Sequence, residues 1–123
     1  MANPNIASLT SIYGNTSYLI PTGTSATTWT ALTPAAGTVN KIDNIVAANV
    51  TGTNATITVS INSATGGGGT AYRLAYQIIV PGNASLIIVD KSTSIYVGES
   101  QSIVVTSGTS NSIEMTAAYE AIT

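Results

Sequence analysis

The chain has 123 residues and a mass of 12.4 kDa, which indicates a single domain. Its 3 basic and 5 acidic residues make up 7% of the chain, against about 25% in an average soluble domain, and the formal net charge is −2. Cysteine and histidine are absent, which excludes disulfides, thiol nucleophiles and imidazole bases. So few basic residues also argue against binding to nucleic acid or to an anionic membrane.

Targeting and membrane-spanning segments are not expected. Apolar runs such as residues 86–89 are far shorter than the roughly 20 residues of a transmembrane helix. Residues 1–5 contain no cationic segment and no continuous apolar stretch, so no secretory signal is predicted.

The first half of the chain predicts short β-strands separated by loop-forming residues. Strand candidates lie at 6–13, 16–20, 27–32, 39–50 and 54–62. The last of these alternates with a period of two, because Ile57, Val59 and Ile61 fall on one face and threonine and serine on the other. Such alternation is typical of a strand with one face in a core.

Four consecutive glycines, Gly66 to Gly69, follow this strand. A phosphate-binding loop would require a Lys-Ser or Lys-Thr pair at its end, and a dinucleotide-binding loop would require a helix after it. Here the glycines lead into another strand candidate at 71–80. We therefore interpret them as a flexible hairpin loop.

The strand at 71–80 carries large side chains on alternating positions. One predicted face contains Tyr72, Leu74, Tyr76, Ile78 and Val80, and the other contains Arg73, Ala75 and Gln77. Tyrosines on an apolar face indicate packing in the core or at an interface. Because the chain has no phenylalanine, we expect the tyrosines to supply most of the large aromatic volume of the core.

The remaining strand candidates are 85–89, 94–97, 101–106 and a segment from Ile113 towards the C-terminus. Residues 115–122 are the best helical alternative, but their apolar residues fit a period of two better. We therefore predict an all-β fold, a single antiparallel β-sandwich of eight to nine short strands, jelly-roll or immunoglobulin-like. The sandwich would occupy 6–123, after a short N-terminal arm at 1–5.

No catalytic, cofactor or metal site is predicted. The segment 98–102 lacks one glycine of a nucleophile elbow, and no histidine could serve it as a base. The five carboxylates are scattered rather than spaced as calcium ligands. Glycosylation motifs occur at Asn15, Asn49, Asn54 and Asn83, about as often as chance predicts.

Surface contact residues are the remaining candidates. Trp29 is flanked by small polar residues, so we expect it to be partly exposed. The candidate interface or surface-binding residues are Trp29, Arg73, Tyr13 and Tyr18. We expect the few charged residues, including Arg73 and the carboxylates at 114 and 120, to lie at solvent-exposed positions.

The sequence resembles small virion structural proteins of tailed phages, especially cyanobacterial and marine phages. The resemblance spans nearly the whole chain and rests on the segments 2–6 (Ala-Asn-Pro-Asn-Ile), 11–14 (Ser-Ile-Tyr-Gly), 41–50, 94–100 and 118–120. The family often has an aspartate where this chain has Ser100. The resemblance implies a non-enzymatic β-sandwich present in many copies, and it transfers no site residue.

Together these observations favour a head decoration (cement) protein of a phage. It would be located in the virion, assembled in the host cytoplasm, and contact the major capsid protein as a homo-oligomer. Two alternatives remain open, a neck, tail or fibre component and an adhesin-like module that binds glycans through Trp29. An enzyme is the third class, and the missing histidine and cysteine argue against it.

Overall fold

Two antiparallel sheets make up the fold of the computed structural model, which describes residues 4–123. Short 3₁₀ turns are the helical elements of this part of the chain. The all-β sandwich predicted from the alternation is thereby confirmed. The strands are β1 (Ile12–Leu19), β2 (Thr27–Thr28), β3 (Val39–Asn49), β4 (Ala55–Asn62), β5 (Ala71–Val80), β6 (Ser85–Val89), β7 (Ile95–Val97), β8 (Ser102–Ser107) and β9 (Ile113–Ile122).

The strand order leaves long edges on opposite sides of the sandwich. The first sheet has the order β1-β9-β3-β6, with β7 paired to β3 next to β6, and the second has the order β2-β8-β4-β5. The indole of Trp29, directly after β2, reaches Ser17 on β1, and β5 lies beside β6. Strands β1 and β2 therefore form one side of the sandwich, and β5, β6 and β7 form the other.

The core lies between the sheets and is built from alternate positions of the inner strands. Ile57 and Val59 of β4 are fully buried, as their alternation predicts. On β9, Ile113, Met115 and Ala117 are buried, which agrees with a strand rather than a helix there. The accessible surface is 6280 Å², close to the roughly 6,100 Å² expected for a compact chain of this mass.

Near the N-terminus the strands differ from the predicted ones. The segment 6–13 begins as a 3₁₀ turn at Ile6–Ser8, capped by the Asn5 side chain, which accepts a hydrogen bond from Ala7 N–H at 3.0 Å. The chain is then extended without a break through 12–19, so the two predicted strands are one. Residues 1–3 of the predicted arm lie outside the described residues, and the division at residue 6 stays a prediction.

The predicted strand at 27–32 is also shorter than expected. Only Thr27–Thr28 pair with β8, and Thr30–Leu32 form a 3₁₀ turn. A buried side chain holds this turn, because Asn40 Nδ2 donates to the Leu32 carbonyl oxygen at 2.9 Å. The alternation of small polar residues in this segment did not reveal the turn.

The glycine run is the loop of the β4–β5 hairpin, as predicted. Gly66, Gly67 and Gly69 have positive φ angles, which glycine adopts without strain. The loop folds back over the second sheet: Gly67 N–H donates to Ser102 Oγ at 3.0 Å, and Asn62 Nδ2 donates to Gly67 O at 2.9 Å. These bonds tie the loop to the sheet, so its glycines provide the backbone conformations that the loop requires.

Candidate interaction surface

Within residues 4–123 no pocket opens, and no group of three acidic side chains could share a metal ion. Lys41 Nζ lies 3.8 Å from Asp43 Oδ1, a partly exposed ion pair on β3. None of the helical turns in the described chain is long or apolar enough to cross a membrane.

Two carboxylates at turns have local structural roles. Glu99 Oε2 accepts a hydrogen bond from Gly37 N–H at 2.7 Å and so joins two loops distant in sequence. Asp90 caps the 3₁₀ turn Lys91–Thr93, and its Oδ1 accepts from the hydroxyl and N–H of Ser92 and from Thr93 N–H. These hydrogen bonds, those of Ser92 first, hold the pKa of the Asp90 carboxyl below its ordinary value.

The expectation that Trp29 is partly exposed is wrong. Its side chain is 2% exposed and belongs to the central core cluster. The backbone turns inward directly after β2, and Trp29 Nε1–H donates to Ser17 Oγ at 3.0 Å, which satisfies the polar end of the ring. A buried indole offers no face on which a sugar could stack, so Trp29 cannot carry the glycan-binding alternative.

The candidates Tyr13 and Tyr18 both lie on β1, the edge strand of the first sheet. Tyr13 is 66% exposed and Tyr18 is 80% exposed, and Ile12 on the same strand is also exposed. The regular pairing of β1 with β9 holds these side chains at the rim of the sandwich. The two tyrosines share an edge strand, but because they are five residues apart on a regular strand their side chains point to opposite faces of the sheet.

The candidate Arg73 lies on β5, the opposite long edge. Its guanidinium carbon is 5.3 Å from the centre of the Tyr76 ring, a cation–π distance. Three further large apolar side chains on this strand, Tyr72, Ile78 and Ile79, are exposed. Arg73 is thus separated by the width of the sandwich from Tyr13 and Tyr18.

The prediction that the β5 tyrosines pack in the core is wrong, while the interface alternative stays open. The pairing of β5 with β4 shifts twice, between Ile57 and Val59 and again between Val59 and Ser60. In the first shift Gln77 adopts a positive φ of 49°, and its N–H donates to Thr58 Oγ1 at 2.9 Å. Each β-bulge reverses the alternation of faces, so a strict period of two assigns the wrong faces.

The distribution of the aromatic residues between core and surface therefore differs from the predicted one. Trp29 fills the core, and Tyr119 packs against it while partly buried. The other tyrosines are all exposed, at positions 13, 18, 72, 76 and 96. Sequence reasoning also missed exposed Ile79 and Ile87, since an isoleucine in a strand pattern is usually assigned to the core.

The glycosylation motif at Asn49 has a structural explanation. Asn49 is buried, and its Nδ2 donates to the carbonyl oxygens of Thr53 at 2.7 Å and Val80 at 2.9 Å. Its Oδ1 accepts from the N–H and the hydroxyl of Thr51. The side chain thus fastens the loop after β3 to the end of β5.

Comparisons with known proteins give no family. No family model matches the chain, and no curated protein matches it. Among solved structures, a chain of the virus-like particle of the extra small virus of the giant freshwater prawn Macrobrachium rosenbergii, solved by cryo-EM, aligns over 98% of this chain and 86% of its own length. The TM-score is 0.42 and the identity 15%, and we draw no functional conclusion from so distant a likeness.

Proposed function

We propose that the chain is a non-enzymatic structural protein of a virus particle, specifically a head decoration protein of a tailed phage that stabilises the joints between capsomers. One observation carries this proposal: the sandwich presents two long edge strands, β1 and β5, on opposite sides, and both expose large apolar side chains. A small domain with two such edges can contact two neighbours at once. The sequence resemblance to phage virion proteins supports the same class.

The charge distribution favours permanent contacts at these edges. Strand β1 has no charged residue and β5 has only Arg73, whose guanidinium already stacks on Tyr76. Neutral hydroxyl and amide groups are less costly to remove from water than ions are. An isolated domain usually protects its edges with charge, so an uncharged edge such as β1 is expected of a domain whose edge contacts a neighbour.

The structure also favours a contact role over catalysis. The described residues offer no pocket for a substrate, and exposed apolar groups lie on the edge strands β1 and β5. Protein–protein contacts use such surfaces, with aromatic side chains enriched among those that contribute most affinity. Tyr18 and Tyr76 are the residues we expect to contribute most on the two edges.

Rebinding to particles tests the proposal. Purified chain would be added to particles assembled without it, and bound chain measured after sedimentation. We expect Tyr18→Ser and Tyr76→Ser each to weaken binding at least about tenfold, as for interface residues that contribute strongly. Tyr96→Ser is the matched control, because it removes an exposed tyrosine from the short β7 and should bind like the unaltered chain.

The copy number distinguishes positions in the particle. A decoration protein would be present in hundreds of copies, whereas a neck or tail ring or a fibre would contain tens or fewer. Counting the chain per particle by quantitative mass spectrometry separates these positions. The proposal would be contradicted if Tyr18→Ser and Tyr76→Ser both bound particles as well as the unaltered chain does. It would also be contradicted if the chain were absent from purified particles.

A further inference from the structure

The sheet edges differ in how they are protected against pairing with another chain. Strand β2 has only two residues, and β6 and β7 are short and separated by the turn that contains Asp90 and Lys91. Strand β5 has two bulges and a charged residue. Short length, charge and bulges are the devices by which proteins block edge-to-edge association. Strand β1 has none of them: it pairs regularly with β9 over eight residues and lacks charge and proline.

The direction of the backbone groups on β1 can be derived from its first pairing. Ser11 and Thr123 exchange both backbone hydrogen bonds, at 3.1 Å and 2.9 Å. Because such exchange occurs at every second residue of an antiparallel pair, odd-numbered residues of β1 direct their N–H and C=O groups towards β9. Even-numbered residues direct theirs away from the sheet. These outward residues are Ile12, Gly14, Thr16 and Tyr18.

A second copy of β1 fits this pattern in one register best. A two-fold axis perpendicular to the joined sheet keeps the side chain of a given residue on the same face in both copies. Directly opposite residues of antiparallel strands also have their side chains on the same face. The axis must therefore pass through a residue position and not between two residues. An axis at Asn15 places Ile12 opposite Tyr18 and Gly14 opposite Thr16. Every outward residue then exchanges both backbone hydrogen bonds with the opposite residue of the second copy. An axis at Gly14 or Thr16 leaves part of the strand unpaired.

The side chains are compatible with the register centred on Asn15. Ile12 and Tyr18 would form an aliphatic–aromatic cross-strand pair, among the favourable pairs of antiparallel sheets. Opposite Thr16 the partner provides Gly14, where a Cβ would meet nothing within 4 Å, so there is room for the threonine. No charged residue lies on the strand, so like charges do not oppose each other.

We infer that β1 pairs with β1 of a second copy of this chain, antiparallel and centred on Asn15, so that the first sheets of two protomers become continuous. This inference goes beyond the proposed function, because it concerns a contact between copies and is independent of a particle. The exposed fractions of Tyr13 and Tyr18 correspond to roughly 300 Å². A standard interface buries about 800 Å² per partner, so the isolated pair is weak and strengthens when further contacts hold the copies together.

Single cysteines test the register, because the chain has none of its own. In the proposed pairing the two residues at position 15 form a non-hydrogen-bonded pair with about 4.5 Å between Cα atoms, within the range for a disulfide. We expect purified Asn15→Cys to form a disulfide-linked dimer under air oxidation, seen on a non-reducing gel. Its cross-linking should be at least about tenfold faster than that of the controls.

Two controls make the result specific. In Thr16→Cys the two sulfur-bearing residues would be roughly 8–9 Å apart at Cα, too far for a disulfide without movement of the backbone. Arg73→Cys places an exposed cysteine on the other long edge. If Asn15→Cys reacts no faster than these controls, or if Thr16→Cys reacts fastest, the proposed register is wrong.

A proline at the outward position gives a second measurement. Thr16→Pro removes an N–H that does not face β9, a position that an edge strand tolerates, so the fold should persist as judged by circular dichroism. Its dimer affinity in sedimentation equilibrium should fall at least about tenfold. An affinity equal to that of the unaltered chain would overturn the proposal, whether or not the chain binds particles.

Discussion

Replacing Trp29 with alanine should be among the most destabilising single changes in this protein. The side chain is 2% exposed in the core cluster, and its indole N–H donates to Ser17 Oγ at 3.0 Å. Burial of a tryptophan removes roughly 200 Å² from water, and about 25 cal/mol per Å² gives about 5 kcal/mol. Core substitutions of this kind lower the free energy of unfolding by about 3–5 kcal/mol, which is the expected range for Trp29→Ala.

Two further variants separate the packing contribution from that of the hydrogen bond. Ser17→Ala removes only the acceptor and should lower the free energy of unfolding by about 0.5–1.5 kcal/mol. Tyr18→Ala removes an aromatic ring that is 80% exposed and should change it by less than about 0.5 kcal/mol in the monomer.

Urea unfolding followed by far-UV circular dichroism is the suitable assay, because Trp29→Ala removes the single tryptophan and with it the indole fluorescence. The variants should be measured at low protein concentration, so that association does not contribute. A loss below about 1 kcal/mol for Trp29→Ala would refute the placement of this residue in the core, as would an equal loss for Tyr18→Ala.

Three other substitutions test local features. Asn49→Ala should lower the free energy of unfolding by about 2–4 kcal/mol in urea titrations, because buried carbonyls lose their donor; a change below about 0.5 kcal/mol would contradict this. Gly82→Ala should destabilise by about 1–3 kcal/mol, since its Cβ would lie 2.5 Å from backbone atoms of Gly52, whereas Gly52→Ala meets open space and should be nearly neutral in the same assay. The pKa of the Asp90 carboxyl, measured by NMR titration, should be below the ordinary 3.8. The ionised carboxylate then stabilises the fold above pH 3.8, and this stabilisation is lost as the pH falls through the lowered pKa. Asp90→Asn should remove this dependence of stability on pH.

Much of the fold could be predicted from the sequence, because most strands follow a simple period of two. The alternation of Ile57 and Val59 located β4 and the first part of its buried face, but after Val59 the buried positions change to Ser60 and Asn62 and Ile61 is only half-buried. On β9 the period of two favoured a strand over a helix. Short spacing between strands indicated antiparallel pairing and a sandwich. The order of the strands could not be predicted, because it depends on contacts between segments far apart in the chain.

The surface was harder to predict, since it depends on where the alternation fails. Two bulges on β5 reverse its faces, and neither Tyr72 nor Tyr76 signals them in the sequence. Trp29 was misplaced because its neighbours are small and polar, while its partner Ser17 is distant in sequence. Tyr13 and Tyr18 are exposed, and only the sheet topology shows that they lie on an edge strand.

A cryo-EM reconstruction of the virus particle proposed to contain this chain tests the central claim most directly. We predict density for the sandwich on the outside of the capsid shell, at the joints between capsomers, with strands β1 and β5 facing neighbouring subunits. The exposed apolar side chains of both edges would then be covered. The account would be contradicted if the capsid shell showed no density for the chain, or if the sandwich were bound with both edges exposed to solvent.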